Sequence, residues 1–158
     1  MMIRHYTKPH WIKPILDTGL ILPERNNSED ACRKAIDEFY GQGYYRQPNQ
    51  AELDFGLRIQ RAKGDQVWFT TERKCNTAVT GLVDYYFEFD SEDIGAVKWH
   101  YFKKQFKSSE AVMIINALDR SAKLAGDDPY CFWVCEHAVD VTLAKNYEQV
   151  INKLECLV

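Results

Sequence analysis

The second half of the chain is built from short segments in which large apolar side chains alternate with polar ones. In DYYFEFD, Tyr85, Phe87 and Phe89 alternate with Tyr86 and Glu88. A period of two predicts a strand that buries one face and leaves the other nearer to solvent. The segments AVKWHYF, YCFWVCE and AVDVTL are also predicted to be strands. Short strands that follow one another in this way are expected to pair as an antiparallel sheet.

Helical patterns precede and separate these strands. Apolar residues from Trp11 to Leu16 follow helical spacing, and Gly19 is typical of a helix C-terminus. Pro14 lies inside this segment and predicts either a late start or a kink. Further helices are predicted at 29–40, 51–62, 76–83, 108–126 and from 146 onward, and further strands at 2–7 and 66–71. Helices that come mostly early and strands that come mostly late predict an α+β fold.

Length, composition and charge narrow the class of protein. A chain of 158 residues, 46% of them hydrophobic, predicts a single domain, 1–158, with its own core. A net charge of −3 without a basic block disfavours a dedicated duplex-DNA binder. The one basic and aromatic patch, KWHYFKKQFK at 98–107, leaves a single-stranded nucleic-acid binder as an alternative.

Five cysteines, an odd number, lie scattered along a sequence without a signal peptide or an apolar run long enough to cross a membrane. These features predict free thiols, a cytoplasmic location and no membrane partner. The segment CFWVCEH lacks the two-residue spacing of paired cysteine ligands, so no metal site is expected. There is also no glycine-rich phosphate loop.

Several short motifs, taken in their order along the chain, resemble the ADP-ribosyltransferase family. They are RHYT at 4–7, a helix ending in GL at 19–20, VWFT followed by TER at 67–73, and a late aromatic strand that ends near Glu136. The layout is similar to that of DNA-targeting ADP-ribosyltransferase toxins and of RNA phosphotransferases that consume NAD. The resemblance implies a split antiparallel β-sheet core with helices in the N-terminal half.

The resemblance also implies roles for individual residues. His5 would hydrogen-bond a ribose of NAD, and Phe69 would stack on nicotinamide. Arg73 would offer a forked donor to the pyrophosphate or to a target carboxylate, and Glu136 would stabilise the oxocarbenium-like ribose. The residues implied for NAD binding are His5, Tyr6, Thr7, Trp68, Phe69 and Thr70, and those implied for catalysis are Glu136 and Arg73.

The resemblance implies that the chain is an NAD-dependent mono-ADP-ribosyltransferase that modifies a protein or a nucleic acid. It implies that the reaction needs no metal, and that the protein is an intracellular toxin or effector. If Phe132 occupies the position of the acid, the chain would instead be a catalytically silent module that binds NAD or a partner. The same residues also have a structural interpretation. His5 and the two aromatic residues Trp68 and Phe69 would then belong to the core, and Arg73 would form a surface ion pair.

Overall fold

The computed structural model describes residues 1–23, 49–76 and 85–156. The predicted helix at 29–40, most of the predicted helix at 76–83, and the loop at 41–49 except its last residue lie outside these ranges. The described strands are β1 (Met2–Tyr6), β2 (Leu20–Ile21), β3 (Val67–Thr70), β4 (Tyr86–Asp90), β5 (Val97–Lys98), β6 (Phe132–Cys135) and β7 (Val139–Asp140). The described helices are α1 (Pro9–Thr18), α2 (Gln50–Lys63), α3 (Trp99–Phe102), α4 (Ser109–Ala125) and α5 (Tyr147–Glu155).

The strands form a five-stranded sheet in the order β4-β1-β3-β6-β5 and a separate two-stranded sheet, β2-β7. Each neighbouring pair is antiparallel. The predicted α+β fold with antiparallel sheets is therefore confirmed. Helices nevertheless occur in both halves of the chain, since α4 and α5 follow most of the strands.

One face of the five-stranded sheet is apolar, and the other face is apolar where β3 and β6 lie; the two faces pack against different layers. Ile3, Phe69 and Phe87 point into one core cluster, which α1 and α5 close with Ile12 and Val150. The opposite face carries a second cluster, in which α3 and α4 cover β3 and β6; its members are Trp68, Trp99, Phe102, Phe106, Ile115, Ala122, Phe132 and Val134. Helix α2 packs on the outside of α4 through Ile59 and Ile114.

Two of the predicted strands are shorter than expected. In AVKWHYF only Val97–Lys98 is a strand, and Trp99–Phe102 forms one turn of helix. Trp99 and Phe102, three residues apart, both face the core, whereas Val97 and Tyr101 are exposed. The spacing that decides the structure is therefore helical, and the prediction of a long strand here was wrong. In AVDVTL the strand ends at Asp140, whose side chain accepts a hydrogen bond from the backbone N–H of Thr142 and starts a 3₁₀ turn.

Candidate functional site

The two halves of the five-stranded sheet meet at a short contact between β1 and β3. Every residue of β1 has a partner in β4, and every residue of β3 has a partner in β6. Between β1 and β3, the register pairs Arg4 with Thr70. We call this region, residues 4–6 with residues 68–72, the junction. It brings together two of the segments on which the resemblance to ADP-ribosyltransferases rests, RHYT and VWFT with TER.

His5 is fixed at the junction by the backbone of β3. Its Nδ1 lies 2.9 Å from the carbonyl oxygen of Trp68, and its ring meets that of Phe69 edge-on at a centroid distance of 5.8 Å. Because a carbonyl oxygen only accepts hydrogen bonds, Nδ1 is the nitrogen that donates. The half-buried ring is therefore held in one orientation by a contact between residues 63 positions apart.

On the other face of β1, Arg4 organises a polar cluster. Its Nε donates to Glu88 Oε2 at 2.8 Å, its Nη1 donates to the hydroxyl of Tyr6 at 3.3 Å, and its guanidinium lies 4.1 Å from the centre of the Tyr86 ring. We call Arg4, Tyr6, Tyr86 and Glu88 the Arg4 cluster. The hydroxyl of Tyr6 donates in turn to the carbonyl oxygen of Glu72 at 3.0 Å. The cluster is thus connected to the segment that follows β3.

Burial and hydrogen bonding shift the pKa values of Arg4 and Tyr6 in this cluster. Burial opposes the charge of Arg4, but its hydrogen bonds with Tyr6 and Glu88 raise the pKa of the guanidinium above its ordinary value. Burial also raises the pKa of Tyr6, although the hydrogen bond from Arg4 acts in the opposite direction. A permanent cation and a neutral phenol therefore lie side by side at the junction.

Thr7 extends the site to a cleft at the end of β1. The cleft has a volume of about 250 Å³ and lies between β1, the start of β4 and helix α5, where Tyr85, Asn146, Gln149 and Lys153 line it. The Nζ of Lys153 lies 4.5 Å from the centre of the Tyr85 ring. Binding pockets for drug-sized ligands are larger, roughly 300–1,000 Å³. This cleft therefore has room for a fragment of a dinucleotide, such as one ring or one phosphate.

The three β3 residues implied for NAD binding serve mainly to pack and to close backbone hydrogen bonds. Phe69 is 2% exposed and enclosed between His5 and Phe89, so here it presents no open face on which nicotinamide could stack. Trp68 packs on the opposite side against Trp99, at a centroid distance of 4.6 Å. The buried hydroxyl of Thr70 accepts the N–H of Glu72 at 3.1 Å, which turns the chain after β3.

The structure does not bring Arg73 and Glu136 together. Arg73 follows Thr70, which is opposite Phe132, whereas Glu136 follows Cys135, which is opposite Val67. Because β3 and β6 are antiparallel, Arg73 and Glu136 lie beyond opposite ends of this strand pair. At about 3.4 Å per residue, the ends of a four-residue pair are roughly 10 Å apart. Both residues are exposed, and neither forms a hydrogen bond or ion pair with any residue that the structure describes.

No family model matches this sequence, and no curated protein or solved structure is significantly similar to it.

A metal site and a membrane-spanning helix each place requirements on the described residues. Within them, no group of at least three His, Cys, Asp or Glu side chains is placed to hold a metal ion. Cys135 in CFWVCEH is buried, and burial raises the pKa of its thiol to about 11, which keeps it protonated at neutral pH. No helix in the described part of the chain combines the length and the apolarity needed to cross a bilayer.

Sequence reasoning missed the Arg4 cluster. In the sequence Arg4 stands out only as part of RHYT, and its partner Glu88 lies 84 positions away. One signal was present in the sequence: Glu88 is a charged residue in the middle of an aromatic strand. A charge at such a position requires a partner on a neighbouring strand, but only the register identifies which one.

Proposed function

We propose that this chain is an NAD-dependent mono-ADP-ribosyltransferase that binds NAD at the junction of β1 and β3. The observation that carries the proposal is the direct contact between RHYT and VWFT-TER. His5 donates to the carbonyl of Trp68, and Tyr6 donates to the carbonyl of Glu72, across 63 and 66 positions of sequence. The resemblance implies that these two segments form one NAD site, and their contact supports that implication.

Residues at the junction and directly beside it suit the parts of NAD. Arg4 is a permanent cation, and Arg73 is an exposed guanidinium without a partner among the described residues. A guanidinium can bind a pyrophosphate through two parallel hydrogen bonds. The cleft beside Thr7 has the size of one ring of the dinucleotide and is lined by the amide of Gln149. The amide of Asn146 also lies there but is bonded to the backbone of β4 at Tyr86 and Glu88.

The proposed reaction breaks the glycosidic bond between nicotinamide and ribose. Nicotinamide leaves with the electron pair of that bond, and a nucleophile of the acceptor bonds to the ribose carbon and loses its proton. A carboxylate stabilises the positive charge that develops on the ribose. Because Glu136 lies at the far end of β6 from Arg73, we assign this carboxylate to Glu88. It is the half-buried acid of the Arg4 cluster and carries the charge that the reaction needs. This assignment places the reacting ribose on the face of β1 that carries Arg4, opposite to the ring of His5.

A silent NAD-binding module remains the second candidate. The observation that favours it is the hydrogen bond of 2.8 Å between Arg4 and Glu88. An arginine that already engages the carboxylate lowers its capacity to stabilise a second positive charge. This candidate predicts that NAD binds without any release of nicotinamide.

The two candidates are separated by incubating the purified protein with NAD and measuring free nicotinamide by chromatography over several hours. The transferase releases nicotinamide, and Glu88→Gln lowers the rate by about 10²–10³-fold, as expected when one stabilising group is lost. Glu136→Gln is the matched control and leaves the rate unchanged. If Glu136→Gln abolishes release while Glu88→Gln does not, the assignment of the acid is wrong.

His5 supplies a test of the NAD site itself. The proposal expects His5→Ala to weaken NAD binding, measured by calorimetry, while circular dichroism shows a folded protein. The hydrogen bond to Trp68 is lost in this variant, so some loss of stability is also expected. If the folded variant binds NAD as tightly as the parent, His5 has a purely structural role.

A further inference from the structure

Helix α3 and the 3₁₀ turn Pro129–Cys131 present three adjoining aromatic rings at the surface. Tyr101 is 62% exposed and Tyr130 is 66% exposed. The ring of His100 lies between them, with centroid distances of 5.3 Å to Tyr101 and 4.8 Å to Tyr130. We call these three residues the α3 platform.

Each tyrosine is held by an anchored piece of backbone. In α3, Trp99 and Phe102 are buried in the core, so the intervening Tyr101 is directed outward. The turn that carries Tyr130 begins at Asp128, whose carboxylate accepts the N–H of Tyr130 at 3.0 Å. Two exposed rings on fixed supports can receive a flat ligand with little loss of conformational entropy.

Lysines flank the platform. Lys98 Nζ lies 5.8 Å, and Lys104 Nζ 5.3 Å, from the centre of the Tyr101 ring. Lys107 follows on the same segment and is exposed, whereas Lys103 is paired with Asp119 at 2.7 Å. A chain with a net charge of −3 therefore gathers three lysines beside an aromatic ring that is among the most exposed of those the structure describes.

The half-buried ring of His100 packs between the two tyrosines. Its Nδ1 is shielded from solvent and has no hydrogen-bond partner among the described residues. A buried polar atom without a partner lowers stability. The histidine nevertheless occupies the space between the two tyrosines and joins them into one aromatic surface.

We propose that the α3 platform binds single-stranded nucleic acid. Unpaired bases stack on Tyr101 and Tyr130, and Lys98 and Lys104 contact the phosphates on either side. A duplex offers its bases already stacked on one another, so it gains only the contacts with the lysines. This proposal rests on the platform alone and does not depend on NAD binding at the junction.

The test is fluorescence anisotropy with labelled 12-mers of dT and of rU, titrated with the full chain at several salt concentrations. We expect both single strands to bind with a dissociation constant below about 100 µM, with an affinity that falls as salt rises. Tyr101→Ala and Tyr130→Ala each weaken binding by about 5- to 150-fold, which corresponds to the loss of one base stack. Tyr101→Phe keeps the aromatic ring and retains the affinity.

Control variants and competing ligands separate stacking on the tyrosines from attraction to the lysines. Replacing both Lys98 and Lys104 with Ala reduces the slope of affinity against salt, whereas Lys13→Ala on the distant helix α1 leaves it unchanged. A difference between dT and rU shows which of the two single strands is preferred. The proposal is overturned if neither strand binds, if a duplex binds as tightly as a single strand, or if loss of both tyrosines leaves the affinity unchanged. Equal binding of an acidic peptide would assign the surface to a protein partner instead.

Discussion

Glu88 is the residue on which the Arg4 cluster depends. It pairs with Arg4 while both side chains are largely shielded, at 26% and 19% exposure. Removing one member of such a pair leaves the other charge without its partner in a poorly solvated place. The same carboxylate is the proposed stabiliser of the ribose cation, so its structural and chemical contributions must be measured separately.

Replacing Glu88 with Ala is expected to lower the free energy of unfolding by about 1.5–3 kcal/mol, the usual contribution of a hydrogen bond to a charged group. Urea denaturation followed by circular dichroism measures the change. Asp17→Ala is the matched control, because Asp17 forms an exposed i,i+4 pair with Lys13 and contributes at most about 0.5 kcal/mol. Equal losses in the two variants would contradict the view that burial strengthens the Arg4–Glu88 pair.

The titration of the Cys135 thiol is expected to make the free energy of unfolding depend on pH. Burial raises the pKa of its thiol from 9.0 to about 11. Between these values the unfolded chain releases a proton that the folded chain keeps, so the free energy of unfolding falls as the pH rises from 9 to 11. Below pH 9 this contribution is fully present.

Urea denaturation at pH 8 and pH 10.5 should therefore show a loss of stability in the parent protein, and a smaller loss in Cys135→Ala. The exposed Cys156 provides the comparison for reactivity, since a thiol reagent at pH 8 should modify it well before Cys135. If the pH dependence is the same in both proteins, titration of Cys135 does not contribute to it.

Among the elements, α4 is the one whose limits the sequence predicts best. Ser108 accepts the N–H of Ala111 at its start, and Gly126, with φ of 91°, ends it in the left-handed conformation that glycine favours. Both signals are local, so they can be read without knowing the fold. The prediction at α3 failed for the opposite reason: whether Trp99 faces the core depends on α4 and β6, which pack against it from elsewhere in the chain.

Ser108→Ala is expected to destabilise the protein by about 1 kcal/mol, because the N–H of Ala111 loses its acceptor. Ser109→Ala, one residue later, removes only an exposed side-chain contact with Glu110 and should change stability by less than about 0.5 kcal/mol. Thermal unfolding of the two variants measures the difference. A larger effect at Ser109 would show that the helix begins one residue later.

At the scale of the whole molecule, the sequence predicts the class of fold and the order of the motifs, but not how the strands are paired. The short segments RHYT and VWFT are recognisable locally, and the structure places them in contact. That they form a site stays a prediction. The separation of Glu136 from Arg73 depends on the direction and register of β6 against β3, which no local pattern contains. The pairing of Arg4 with Glu88 depends on the register of β1 against β4 in the same way.

The measurement that tests the central proposal most directly is a ¹⁵N-resolved NMR titration of the full chain with NAD. Binding at the junction predicts shifts in the backbone amide signals of Tyr6, Thr7 and Arg73 at NAD concentrations up to about 1 mM, the upper range of ordinary substrate affinities. The signals of Tyr101 and Tyr130 on the α3 platform should remain in place. An unchanged spectrum at several times that concentration, or shifts confined to the platform, would contradict an NAD site at the junction of β1 and β3.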